Sequence, residues 1–281
     1  MINFNGNLIS SKEKFLNHEN RGFKYGDALF ETVRISNGKL LFWEDHYFRL
    51  MSSMRILRME IPMEFTMEFL EAEFIKTLEV NKLLGSTARG RLSVFRNDGG
   101  RYTPKTNECS FVLEVEELEV PFYTIDDTSY EIELYKDFYV NADMLSNLKS
   151  TNKLIHIVSS VYAKENGYQN CLLLNGAKQV VEAINGNVFL VSGKKIKTPP
   201  LKDGCLDGIL RKKLTEIISK WDDFDLEEVS ISPFELQKAD ELFITNTIIG
   251  IQPITKYRKK QFETTVARSL LGRLNASARL S

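Results

Sequence analysis

Few of the nucleophiles, acids and metal-binding side chains in this sequence stand at a spacing that chemistry requires. Ser146-Asn147-Leu148-Lys149 and Ser150-Thr151-Asn152-Lys153 both fit the S-x-x-K pattern in which a lysine activates a serine, but the K-T-G companion of such acylating enzymes is missing. Gly193-Lys194-Lys195 lacks the upstream glycine and the following Ser or Thr of a phosphate-binding loop, and no G-x-G-x-x-G follows an expected strand. His18, His46 and His156 are far apart, without a carboxylate or cysteine at metal-ligand spacing. They are expected to be surface or packing histidines, and no metal site is expected. Cys109, Cys171 and Cys205 are odd in number and unspaced for metal, which suits a reducing compartment.

Three features are ordinary when each is taken alone. A lysine attacks a carbonyl or shuttles protons only where desolvation or a nearby cation keeps its amine partly neutral. Lys149 stands just before an expected helix, with Asn147 and Asn152 near it rather than acids; alone, it reads as one surface lysine among many. Glu182 ends an apolar strand (Val180-Val181), where an unpaired acid is costly to bury; its bland reading is a strand-end glutamate facing water. Gly208-Ile209-Leu210 opens an expected helix, whose first backbone N–H groups suit an anion.

The elements that must position these residues fall into two blocks. Asn5-Gly6 and Asn37-Gly38 mark hairpins, the second joining strands over 28–35 and 39–42. Apolar residues then recur at helical spacing from Trp43 towards Pro62, and again over 64–80. Strands are expected over 88–96 and 109–116, around the turn Asp98-Gly99-Gly100. After a connector near 118–128 come a strand (129–135) and a helix (151–165) ended by Asn166-Gly167. Strands follow over 170–174, 178–182 and 187–191, then a helix (208–220), strands over 226–231, 241–246 and 250–255, and a last helix (262–278). The expected organisation is α+β: a small α/β domain over 1–120, a larger one over 121–281, and a site in the cleft between them.

Composition narrows the class. The chain has 281 residues, 37 basic and 38 acidic side chains, and a net charge of −1. With 43% hydrophobic and 27% charged residues, disorder and fibrous structure are excluded. There is no basic run for nucleic acid, no apolar stretch near the roughly 18 residues of a membrane span, and no visible secretory signal. The expectation is a cytoplasmic enzyme or binding protein.

Several segments, taken in order, match one family together. They are Phe23-Lys24-Tyr25-Gly26-Asp27-Ala28-Leu29-Phe30-Glu31-Thr32-Val33-Arg34, His46-Tyr47-Phe48-Arg49-Leu50 and Lys149-Ser150-Thr151-Asn152. Glu182 to Phe189, Thr198-Pro199-Pro200, Asp207-Gly208-Ile209-Leu210-Arg211 and Glu241 to Thr247 complete the set. The chain resembles the fold-type IV pyridoxal-phosphate enzymes, which include branched-chain and D-amino-acid aminotransferases and aminodeoxychorismate lyase. The resemblance implies two α/β domains with pyridoxal 5'-phosphate at their interface, and a homodimer acting on a small amino-acid-like substrate. It makes Lys149 the Schiff-base and catalytic residue and sets Glu182 against the ring nitrogen, with Asn187 nearby at the family's spacing. The phosphate falls to Arg49, Thr247 and the N–H groups of Ile209 and Leu210. Leu210 departs from the family's usual threonine and can offer no hydroxyl.

Three marks resemble the lyase more than the aminotransferases: Thr32, Asn246 within Thr-Asn-Thr, and Asp98-Gly99-Gly100-Arg101-Tyr102. In the lyase reading Thr32 assists Lys149 catalytically or holds a carboxylate, and Arg101, Asn246 and Tyr25 contact substrate. The alternative is an amino-acid aminotransferase in which Arg101 binds the α-carboxylate. A non-catalytic cofactor-binding protein would keep Lys149 and lose Thr32, Arg101 and Asn246.

Overall fold

A computed structural model describes residues 1–280. The chain divides into two compact units, one of residues 1–121 with Lys149–Asn152, the other of residues 122–148 and 153–280.

The first unit contains β1 (Ile2–Phe4), β2 (Asn7–Ile9), α1 (Arg21–Tyr25), β3 (Ala28–Ser36), β4 (Lys39–Leu40), α2 (Trp43–Ile56), α3 (Met67–Val80), β5 (Thr87–Arg96) and β6 (Cys109–Glu117). Its strands form one antiparallel sheet in the order β2-β1-β6-β5-β3-β4. Alternation along β3 sends Leu29, Val33 and Ile35 to one face with Leu92, Val94 and Leu113. That face and the helix residues Leu50, Met54, Leu70, Phe74 and Leu78 are almost wholly buried. Each such side chain contributes about 1.5–3 kcal/mol. The opposite face carries Phe30, Thr32, Arg89, Arg91 and Ser93. Glu31 belongs by alternation to the apolar face.

The helix expected to begin at residue 151 begins at Leu154 instead. Residues 149–152 are extended and lie along the open edge of β3, where Phe30 N–H donates to the Lys149 carbonyl (2.9 Å) and Thr151 N–H to that of Ala28 (3.0 Å). The Thr151 hydroxyl and the Asn152 amide both donate to the Gly26 carbonyl, at 3.1 and 3.2 Å. These bonds hold the segment out of the helix. The helix α1 escapes the sequence pattern because it spans only five residues, capped by Asn20 and ended by Gly26.

The second unit contains β7 (Glu131–Leu134), α4 (Leu154–Glu165), β8 (Asn170–Leu174), β9 (Val180–Ala183), β10 (Asn187–Ser192), β11 (Lys195–Thr198), α5 (Ile209–Ile218), β12 (Asp225–Glu228), β13 (Glu241–Asn246), β14 (Gly250–Ile254), β15 (Lys256–Tyr257), β16 (Lys260–Gln261) and α6 (Thr265–Leu280). Two five-stranded sheets, β12-β11-β10-β13-β14 and β16-β15-β7-β8-β9, share an apolar core that includes Leu172, Val180, Val188, Leu190, Leu242, Ile244 and Ile254. The helix α4 contributes Ala163 to a second core with Cys171, Leu173 and Val181. Among the described residues no helix is long and apolar enough to cross a membrane.

Candidate active site

In the first unit the site begins at the edge of β3. Lys149 follows Leu148 out to the extended segment, and its ammonium lies 4.6 Å from the centre of the Phe30 ring. Phe30 and Thr32 share a face of β3, and Thr32 is nearly buried. Arg91 pairs across the strands with Thr32, and its guanidinium lies 4.0 Å from the Phe30 ring centre. One aromatic ring thus faces two cations, which its electron-rich surface attracts. Sequence reasoning missed Arg91. Its place opposite Thr32 follows only once the β3–β5 register is known. Burial pushes the Arg91 guanidinium below its ordinary range, while Glu114, 3.7 Å away, supports it.

Gly26 turns the chain from α1 toward β3 at φ +66°, and a Cβ there would stand 2.3 Å from Asn152 Oδ1. Only glycine lets the segment bearing Lys149 approach so closely. Tyr25 is exposed beside Tyr102, ring centres 5.8 Å apart. Arg101 is exposed, and its carbonyl accepts a hydrogen bond from Arg21 at 2.7 Å.

Arg49 and His46, one turn apart on α2, both meet Glu31. Arg49 donates from Nε and Nη2 at 2.8 and 2.5 Å, and His46 Nδ1 stands 2.7 Å from Glu31 Oε2. Burial pushes the Glu31 carboxyl up, but the charge of Arg49 and the hydrogen bonds from His46 and Arg49 outweigh it and hold the group at about 2. Burial also pushes His46 down, more than Glu31 raises it, so the imidazole is neutral and Nδ1 donates. Glu31 lay unread inside the Phe30-Glu31-Thr32 motif. An acid placed between Leu29 and Val33 on an apolar face was the available signal.

In the second unit Glu182 lies on β9, 4% exposed. Its Oε1 is 2.9 Å from His156 Nε2, and Oε2 accepts from the Leu206 N–H at 2.8 Å. The bland expectation of a glutamate facing water is overturned by this burial. His156, read as a packing or surface histidine, is partnered with that acid. The helix α5 starts at Ile209 with Gly208 as its N-cap and no side-chain cap. A Cβ on Gly208 would stand 2.0 Å from Asn187 Oδ1, and Asn187 Nδ2 donates to the Leu206 carbonyl at 2.8 Å. Asn187 therefore shapes the entry to α5. Ile209 and Leu210 are buried, so only their N–H groups are suited to an anion. Thr247 follows β13, its carbonyl accepting from the Tyr123 hydroxyl at 2.9 Å. The Asn246 amide is engaged at both ends: Oδ1 accepts from the N–H of Ile248 and Ile249 (both 3.0 Å), and Nδ2 donates to the Asn185 carbonyl (2.9 Å).

Lys149, Thr32, Arg49, Tyr25 and Arg101 thus belong to the first unit, and Glu182, Asn187, Ile209, Leu210, Asn246 and Thr247 to the second. The Amino-transferase class IV family matches residues 28–257, most of the chain and nearly all of these residues. The chain belongs to that family. This class IV chain is 27% identical over 262 residues to a D-alanine aminotransferase of Bacillus licheniformis, covering 90% of the one and 86% of the other. Its fold matches a branched-chain aminotransferase of Thermoproteus uzoniensis, solved with norvaline, with a TM-score of 0.86 at 24% identity over 97% of this chain and 92% of that one. A structure described as a putative 4-amino-4-deoxychorismate lyase of Legionella pneumophila matches with a TM-score of 0.84 at 24% identity, covering 95% and 97%. Members of the class are enzymes that depend on pyridoxal 5'-phosphate. The residues here fit that group: a buried carboxylate held by two hydrogen bonds, a helix N-terminus free of a side-chain cap, and a lysine held against an aromatic ring.

Proposed function

We propose that this class IV enzyme is a 4-amino-4-deoxychorismate lyase, which removes pyruvate from its substrate and leaves 4-aminobenzoate. The observation that carries the reading is Thr32, a hydroxyl on the sheet face of Phe30, whose ring receives the Lys149 ammonium. When bound, the cofactor supplies a conjugated, protonated ring that draws electrons from the substrate carbon.

In this reading Lys149 carries the cofactor and takes the proton from the substrate carbon next to nitrogen. Thr32 hands on a proton or holds a carboxylate. Glu182 faces the ring nitrogen, while Arg49, Thr247 and the N–H groups of Ile209 and Leu210 hold the phosphate, with Asn187 shaping that helix entry. Tyr25 borders the substrate. Arg101 and Arg91 take the carboxylates, because the Asn246 amide is spent on its own turn.

That engagement of Asn246 favours a second reading, an amino-acid aminotransferase, since it removes one mark of the lyase. Both readings need Lys149 to move the same first proton. The test is to supply aminodeoxychorismate and, separately, L- and D-amino acids with 2-oxoglutarate. Pyruvate and 4-aminobenzoate support the lyase; glutamate without either product overturns it. Borohydride reduction of the yellow protein should place the label on Lys149, and label on another lysine would remove both readings.

The proposal includes a homodimer in the cytoplasm. The dimer is supported by an apolar stripe on α4, where Leu154, Ile157 and Val161 are 73, 58 and 51% exposed.

A further inference from the structure

We propose that His156 is a positioning residue for Glu182, holding its carboxylate in the orientation that directs it at the cofactor ring nitrogen. This rests on the reading of Glu182 given above.

Glu182 reaches its partners from β9, while His156 comes from the first turn of α4 and Leu206 from the loop before α5. An ionised carboxylate only accepts hydrogen bonds, so the hydrogen between the two side chains belongs to His156 Nε2. The Leu206 N–H occupies the other oxygen. Two of roughly four lone-pair directions are then used, and a ring N–H can take a third. Each donor holds one oxygen of the carboxylate, and together they fix its plane.

His156 is an expensive choice if it serves packing alone. Its Nδ1 is buried with no hydrogen-bond partner among the described residues, a loss that an apolar side chain would avoid. The ring is oriented through Nε2, by Glu182. A side chain that gives up one hydrogen bond in order to make another at a functional carboxylate is placed for that carboxylate.

The test compares pyridoxal phosphate with its 1-deaza analogue, in which a C–H replaces the ring nitrogen. Dissociation constants are measured on the full chain by fluorescence titration, together with the absorption spectrum of the bound cofactor. His156→Ala should weaken pyridoxal phosphate roughly tenfold and shift its band, and leave the analogue unchanged. His156→Gln, whose amide reaches the same oxygen, should restore wild-type affinity. His156→Asn, too short to reach it, should behave as the alanine variant and replaces it if that variant does not fold. Equal weakening of both cofactors would mark a structural role and overturn the proposal. Glu182→Gln separates the two inferences. If it discriminates between the cofactors and His156→Ala does not, the positioning role fails and the reading of Glu182 stands. If neither variant discriminates, the reading of Glu182 fails and the positioning role goes with it.

Discussion

Glu31 holds Arg49 by the Nε–Nη2 edge of its guanidinium, at 2.8 and 2.5 Å. Two parallel hydrogen bonds set the plane of the group as well as its position. Arg49 is proposed to hold the cofactor phosphate, and Glu31 fixes the plane in which its guanidinium would meet that anion. Arg49→Ala should weaken cofactor binding; unchanged affinity in a titration of the full chain would disprove the assignment. Glu31→Gln should also destabilise the protein by about 3 kcal/mol, because it strips a buried cation of its counter-charge. Urea denaturation measures that loss.

The same cluster sets an acid response. His46 is held below its ordinary value of 6.5 in the folded chain, so the unfolded chain binds more protons as pH falls beneath that value. Stability should therefore begin to fall below pH 6.5. Glu31 adds a second loss: its stabilisation is complete above 4.5 and disappears as pH falls toward about 2. Glu31→Gln should flatten the part of the curve below pH 4.5. Denaturant midpoints collected across pH would contradict this if wild type and variant ran parallel there.

Much of this arrangement is legible in the sequence, and the limits are physical. The 3.6-residue period of α2 and the alternation of β3 are local properties, so the scaffold around Arg49 and Thr32 can be read directly. Lys149 stood out only through ordered motifs, since its surroundings come from residues about 120 positions away. The true start of α4 was hidden because Gly26 and Ala28, not neighbours in sequence, accept the hydrogen bonds that hold residues 151 and 152. Glu31, Arg91 and His156 were passed over for the same reason. Each acquires meaning from a partner on another strand or helix.

Gly26 offers a test of that long-range tether. Gly26→Ala puts a Cβ 2.3 Å from Asn152 Oδ1 and a side chain at φ +66°. The cost should be about 1–3 kcal/mol, with slower capture of the cofactor because Lys149 loses its anchor. Asn152→Ala in the same chain should recover the steric part and leave the backbone strain. A thermal melt of the single and double variants measures both, and equal melting temperatures for the two would remove the steric argument.

The apolar stripe of α4 leads to a prediction on assembly. Ile157→Asp places a charge in the middle of Leu154, Ile157 and Val161, where a second copy of the chain is proposed to pack. Burying an unpaired carboxylate is costly, so the sedimenting species should shift from dimer to monomer. The variant should keep its helix content, because Ile157 is exposed within the single chain. A wild-type chain that sediments as a monomer at micromolar concentration would remove the dimer.

Arg91 provides the sharpest division between cofactor and substrate. Its guanidinium lies over Phe30 beside Thr32 and shares that ring with Lys149, so a substrate carboxylate arriving there meets the Arg91 charge next to the lysine proposed to carry the cofactor. Burial works against the Arg91 charge, which raises the value of an arriving anion to it. Arg91→Gln should raise KM by roughly ten- to a hundredfold, the loss of one charge-assisted hydrogen-bonded contact, and leave the cofactor dissociation constant unchanged. Arg91→Lys should not restore KM, because an ammonium cannot grip a carboxylate with two parallel bonds. If the glutamine variant loses cofactor and substrate affinity together, Arg91 is instead part of the wall that keeps Lys149 in place.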